Sequence, residues 1–510
     1  MKHTSERESK MGNLPVHSNE IAKESFRCPS TMRSTICPLP HGGRADCPSY
    51  VSASPRLAAI GFALFVACLE LAAAPAISTL DQIPNLNSLP DSHAKLQAEI
   101  DTNGGNLKLS GPKIIRITKP LLVDLAKHQA AQVVAETGVT LVMDGPGPAI
   151  RITGSHQGTA GPTSFKAATW NERMPIVSGF EILGNHAEAD GVELFQTVGA
   201  IVSKVSVRWC RHGIRLATRN RNVLISDCHL YENQGIGIYL DDVNLHQINV
   251  ANSHISYNRQ GGIVVRDGNV RNLQVAGCDI EANMPADITP TKTANILIDV
   301  SGSPETRAKS IAEISITGCT IQHSANYGKD RAKTVAFGGA NIRLAGKAIY
   351  PINSVTISGN VLSDTTTNIV VHHAHDVAIN ANNFFAPKPA NLHVSHSQRV
   401  VVTGNTFNPR QFVRPGTIRF LNSTNCIIAN STLHRFTIDT GALILEGCNG
   451  FTLNGLNLSD CGSGIILRNT SDTTIANCRA SGTTNGVDLD VDDSNHGIQL
   501  SGNALRRKPD

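Results

Sequence analysis

Asp241, Arg266 and Asp299 close three copies of one short phrase: Ile238-Tyr239-Leu240-Asp241, Ile263-Val264-Val265-Arg266 and Ile296-Leu297-Ile298-Asp299. Ile342-Arg343-Leu344, Ile369-Val370-Val371-His372 and Leu392-His393-Val394 continue it. Such a set suits chemistry on an anionic sugar. Removing a proton beside a uronate carboxylate needs a cation to neutralise that carboxylate and a base to take the proton. Arg266 or Arg343 can pair with the carboxylate bidentately. Asp241, Asp242, Asp267 and Asp299 offer the oxygen ligands that calcium takes. Hydrolysis needs two carboxyls instead. Asp241 and Asp299, two strands apart at roughly 9.6 Å, come near the inverting spacing, with Arg266 between them. The candidate catalytic set is therefore Asp241, Arg266, Asp299, Arg343 and His372, with Tyr239, Asp267 and His393 contacting substrate. Against it stands a structural reading at even odds. An acid-base-acid stack on adjacent strands is favourable without any ligand, and Glu446, Arg468 and Asp490 repeat the pattern elsewhere. His372-His373-Ala374-His375-Asp376 sends successive histidines to opposite sides and reads as a solvated turn rather than a metal site.

These positions have meaning only if the phrase is a strand and the strands stack in register. Beside it runs a second repeated phrase, apolar-x-apolar-x-x-(Asn/Cys/Ser). It occurs at Ile225-Ser226-Asp227-Cys228, Val275-Ala276-Gly277-Cys278, Ile316-Thr317-Gly318-Cys319 and Val402-Thr403-Gly404-Asn405. A period in the low twenties built from very short strands is the signature of a solenoid. The position shared by Asn, Ser and Cys reads as a stacking site in a tight inward turn. It predicts buried thiols rather than a disulfide framework, although Cys278 and Cys319 fall on neighbouring rungs. Extra sequence falls at 282–293, 301–311 and 322–338, beside the charged phrase. Insertions in a solenoid gather on one face, often the binding face.

On these phrases the chain resembles the pectin-lyase-like superfamily of right-handed parallel β-helices over roughly residues 85 to 505. The resemblance implies an all-β, single-stranded solenoid of about 13 rungs with three short parallel sheets. A capping helix is expected at about 91–103, from Ala94-Lys95-Leu96-Gln97-Ala98-Glu99-Ile100, and repeats at about 105–505. It implies that Gly-Ile-x-Leu forms the first sheet, whose outward face carries the sugar cleft in members that are enzymes. Alternation places Glu193, Arg215, Tyr239, Val264, Leu297, Arg343, Val370, His393, Arg419 and, at the end, Asp488 in one outward column. Phe195, Ala217, Asp241, Arg266, Asp299, Ala345, His372, Ser395 and, at the end, Asp490 fall in the other. The outward residues of the second sheet, among them Asn249, Gln274, Ser315 and Thr356, are uncharged. Subfamily signatures are missing. The Arg-x-Pro-x-x-Arg of pectate lyases is absent, Asp241-Asp242 alone matches polygalacturonases, and His375-Asp376 alone survives of the mannuronan epimerases' Asp-Pro-His-Asp.

Composition agrees with short strands and polar turns. Aromatic residues are 4% and charged residues 17% of 510, with a formal net charge of +4. That balance argues against nucleic-acid and membrane-surface partners, and no nucleotide-binding loop or paired CxxC is present. Residues 1–55 lack an apolar period and are expected to be disordered or a surplus N-terminal extension, with translation starting within it at Met32. Residues 56–76, with the run Leu57 to Leu71 and Ala72-Ala73-Ala74-Pro75-Ala76, read as a secretory signal peptide. The domain then spans 77–510. The expectation is an exported, monomeric polysaccharide lyase or hydrolase that acts on acidic chains and requires no cofactor beyond a potential Ca2+. The alternative is a non-catalytic carbohydrate-binding or adhesion solenoid using the same face.

Overall fold

The computed structural model describes residues 86–157, 163, 166–285, 291–304, 309–324, 338–410, 415–437 and 441–508. The signal peptide call at 56–76, the segment before it and the middles of all three insertions lie outside the described residues.

The apolar alternation forces each short strand to bury one side, and stacking the strands in parallel buries all of those sides together. Three faces result. The first carries the Gly-Ile-x-Leu strands, including Ala189–Phe195, Gly261–Arg266, Ala294–Asp299, Ala340–Ala345, Thr367–His372 and Ala390–Ser395. The second carries the strands that precede the ladder turn, such as Asn269–Ala276 and Ser310–Thr317. Two strands, Ile214–Ser226 and Ile236–Ala251, run unbroken from the first face into the second. In the first of them a bulge between Ala217 and Arg219 makes the bend. The third face is a separate sheet of 14 parallel strands. The helix His93–Thr102 closes the N-terminal end by burying Leu96 and Ile100 against the first turns. Inside, like residues stack: Phe384 and Phe407 lie 4.5 Å apart at 19°, with Phe436 edge-on beyond.

The ladder turn between second and third faces is where the sequence places it. Cys228, Cys278, Cys319, Asn360, Asn382, Asn405, Ser431 and Cys478 are all buried. Asn360 Nδ2 donates to Asn382 Oδ1 at 3.0 Å, and Asn382 Nδ2 to Asn405 Oδ1 at 3.1 Å. Asn405 also satisfies the carbonyl of Ile379 at 2.9 Å. Asn405→Leu is expected to cost about 1–3 kcal/mol by orphaning buried groups, read as a lower midpoint in denaturant with an unchanged slope. All eight cysteines among the described residues are free and buried. Cys278 and Cys319 face each other as thiols, and their mutual hydrogen bond, then burial, raises the Cys278 thiol above its ordinary value.

A second ladder was not anticipated. Asn233, Asn258, Asn283, Asn295, Asn341, Asn368 and Asn391 stack at the turn entering the first face, all buried. Their side-chain amides donate rung to rung, at 2.8 Å from Asn233 to Asn258 and 2.9 Å from Asn368 to Asn391. This ladder explains the glycine of Gly-Ile-x-Leu. A Cβ on Gly262 would sit 2.6 Å from the Asn295 carbonyl and 2.8 Å from Asn283 Nδ2.

Candidate functional site on the first sheet

Register on the first face follows the expected columns through the middle of the helix. Arg215 opposes Glu193 and Tyr239, then Val264, Leu297, Arg343, Val370 and His393 follow. Asp241, Arg266, Asp299, Ala345 and His372 form the neighbouring column. The final rung differs. Asp490, not Asp488, opposes Ile466, because Leu489 rather than Val487 enters the core opposite Ile465. Asp488 is buried, and Arg506 binds it at 2.8 Å through its backbone N–H and at 3.0 Å through Nε.

Side-chain pairing differs from a simple acid-base-acid stack. Asp241 does not pair with Arg266. It accepts from Arg215 Nη2 at 2.6 Å and Nε at 3.1 Å, and Arg215 Nη1 donates to Glu193 at 2.7 Å. Arg151 Nε lies 2.7 Å from the other Glu193 oxygen, in ionic contact. The ion ladder therefore runs Arg151–Glu193–Arg215 straight along one column and then diagonally to Asp241 in the other. Asp299 turns to Ser301, accepting from its N–H at 2.9 Å and hydroxyl at 2.6 Å. Arg266 is left exposed, with no ion pair among the described residues. Both carboxylates beside it are committed elsewhere, so its charge is directed to solvent.

An open cleft of ≈ 610 Å³ ends at Asp241, and Arg266 stands opposite Asp241 on the next strand. Arg151, Glu193, Phe195, Arg215, Asp241 and Asp242 are among its lining residues. The second insertion anchors its edge: Lys309 Nζ donates to Asp242 at 2.6 Å and the Ser303 hydroxyl donates to Asp267. These contacts give Asp242 and Asp267 structural partners. Asp241, Asp242, Asp267 and Asp299 each bond a different group, and among the described residues they do not converge as one ligand set.

Further along, the floor closes. Val264 and Leu297 point outward yet are buried in a small apolar cluster with Ile236, Ala294 and Ala340, against which Tyr239 and Val370 pack. Arg343 lies past this cluster. Its guanidinium donates to the Gly338 carbonyl, and burial lowers its pKa against the pull of Asp299. His372 and His393 lie further on, so the expected set divides into a cleft group and a distal group. Burial, then the Asp241 carboxylate, push the Tyr239 phenol up to about 12. His212, missed by the column reading because it sits in the preceding turn, has its ring 5.0 Å from that of Tyr239. Its Nδ1 accepts from the Ile236 N–H at 3.1 Å, which leaves the proton on Nε2.

Burial drives His212 and His372 down to about 4. Each is neutral when folded but takes a proton near pH 6.5 when unfolded, so their contribution is intact above about 6.5 and is lost as pH falls through about 4. Thermal denaturation from pH 7 to 4 should show a falling melting temperature, with a shallower slope in His212→Gln. An unchanged slope in that variant would refute the assignment for His212.

Three parallel faces, a coil period in the low twenties and turn ladders of Asn, Ser and Cys define a parallel β-helix. The fold is that of a right-handed parallel β-helix, and residues 176–303 match the right handed beta helix region. Residues 312–507 match the family of the periplasmic copper-binding protein NosD. Within that second stretch His372, His373 and His396 bring their rings to 4.3–5.5 Å. No three metal-ligating donors converge there among the described residues. No curated protein matches the chain. Solved structures similar to it include the A-module of a mannuronan C-5 epimerase from Azotobacter vinelandii, at 12% identity and TM-score 0.41, covering 83% of this chain and 97% of that one. The catalytic unit of an alpha-1,3-glucanase from Streptomyces thermodiastaticus matches at 12% and 0.38, covering 81% and 66%. A tailspike protein of an Escherichia coli bacteriophage, solved with a pentasaccharide, matches at 12% and 0.43, covering 81% and 75%.

Proposed function

We propose that this protein is an exported, polysaccharide-active β-helix that holds an acidic, uronate-type chain along the first sheet and cleaves it as a lyase. The observation that supports this best is Arg266, an exposed cation beside an open cleft with both neighbouring carboxylates turned away. A cation serving only the fold would be expected to pair with Asp241 or Asp299, one strand spacing off on either side. In this reading Arg266 neutralises a sugar carboxylate, which acidifies the adjacent C–H, and the Asp241 carboxylate takes that proton on Oδ1, since both Arg215 bonds fall on Oδ2. Tyr239, still protonated at neutral pH, donates to the departing glycosidic oxygen, and Phe195 offers an apolar surface to a sugar ring. Hydrolysis fits less well, since Asp241 is held by Arg215 and Asp299 by Ser301.

A second reading, binding without turnover, draws support from the same ion pairs: Glu193 and Asp241 are both committed to arginine. The test is to incubate the full chain with alginate and polygalacturonate, with and without calcium. Ultraviolet absorbance from unsaturated product supports the lyase. New reducing ends without it would show a hydrolase, and retention without product would show a binding protein. Neither retention nor product would sink the carbohydrate reading.

A further inference from the structure

The third sheet carries charge that the comparison of first and second sheets overlooked. Asp279 and Glu281 flank inward-facing Ile280 on the strand Asp279–Glu281, so both carboxylates emerge on the same side. His254 stands opposite Asp279 on the preceding rung. One donor atom from each of His254, Asp279 and Glu281 lies within 4.8 Å of the others. A second imidazole approaches from the next rung, with His323 Nε2 3.7 Å from Glu281 and Nδ1 3.8 Å from Asp364.

The contact between His254 and Asp279 is not a hydrogen bond. His254 Nε2 is 3.8 Å from the Asp279 carboxylate, shielded from water and without a hydrogen-bond partner. A ring nitrogen aimed at a carboxylate but stopped short of it leaves room for a third atom between them. Metal–ligand distances of about 2.0–2.2 Å in a tetrahedral sphere set neighbouring donors roughly 3.3–3.5 Å apart. The donors here stand slightly wider, a gap that small side-chain rotations close, because the outer atoms of His254, Asp279 and Glu281 are at the surface. Two carboxylates on one strand side also concentrate negative potential. A cation relieves that repulsion.

We propose that His254, Asp279 and Glu281 form a binding site for a divalent transition metal of the zinc class, with His323 completing the sphere. Mixed imidazole and carboxylate donors suit zinc and cobalt, whereas calcium and magnesium prefer all-oxygen sets. The site lies on a different face from the first-sheet cleft and does not depend on the proposed glycan activity.

The experiment is titration of metal-free full chain with ZnCl2 by calorimetry, with CaCl2 as comparator. One Zn2+ per chain with much weaker Ca2+ binding is expected. His254→Ala and Glu281→Gln should each lower zinc affinity at least tenfold while melting as wild type without metal. His434→Ala, on the same sheet but remote in sequence, should bind as wild type. Visible absorbance of the wild-type chain loaded with Co2+ gives a readout independent of any variant, and the intense bands of four-coordinate rather than six-coordinate cobalt are expected. No zinc binding by wild type, undiminished binding in both variants, or a purely six-coordinate cobalt spectrum would each overturn the proposal.

Discussion

Arg266→Ala is expected to weaken retention of acidic polysaccharide by roughly tenfold or more, about 1.4 kcal/mol, while the melting temperature stays in place. The two halves of this expectation have separate causes. Binding falls because the guanidinium is exposed beside the cleft with no internal partner to share its charge. Stability holds because removing an unpaired surface charge changes folding by about 0.5 kcal/mol or less. Affinity chromatography on immobilised alginate, alongside thermal denaturation, measures both. A variant that melts much lower yet binds normally would return Arg266 to a structural role.

Glu193→Ala should do the reverse. Glu193 is 3% exposed and lies under two arginines, taking Arg151 on one oxygen and Arg215 on the other. Its loss leaves two cations on either side of a buried gap. Breaking a fully buried pair costs about 3–5 kcal/mol; Arg151 and Arg215 are partly solvated, at 39% and 29%, so about 2–3 kcal/mol is expected here. Denaturant unfolding reads the loss. Restoration by Glu193→Gln should be partial, since an amide keeps the shape but not the charge. A Glu193→Ala variant as stable as wild type would show that the ladder contributes nothing to the fold and exists for the ligand.

The first sheet was legible in detail because alternation and a repeated phrase fix the register. Asp241, Arg266, Asp299 and His372 share a column as the spacing predicts. What spacing cannot carry is the choice each side chain makes among neighbours at similar distance. Arg215 reaches diagonally to Asp241, so the ion pairs run back from Asp241 to Arg151 rather than onward to Arg266. Val264 and Leu297 fall in an outward column, yet apolar outward residues on adjacent rungs bury one another. The last rung slipped because Gly486-Val487-Asp488-Leu489 imitates the repeated phrase while Arg506 draws Asp488 inward. The second asparagine ladder did leave a signal, an Asn directly before the inward aliphatic at Asn295-Ile296, Asn341-Ile342, Asn368-Ile369 and Asn391-Leu392. The His254–Asp279–Glu281 cluster left one too, in residues just after the ladder turn, on a face that a comparison of two sheets never reaches.

The rung-to-rung asparagine bonds also bear on how the molecule would yield to force. Backbone and ladder bonds between coils all point along the stacking direction. Tension applied across a single coil would load many of them together in shear. Tension applied between the two ends of the stack would load them in series, so the outermost coil detaches first and the next takes up the strain. Each detached coil releases a chain of about 80 Å at the extended length per residue. Pulled this way, the protein should lengthen in many small, similar steps rather than rupture once.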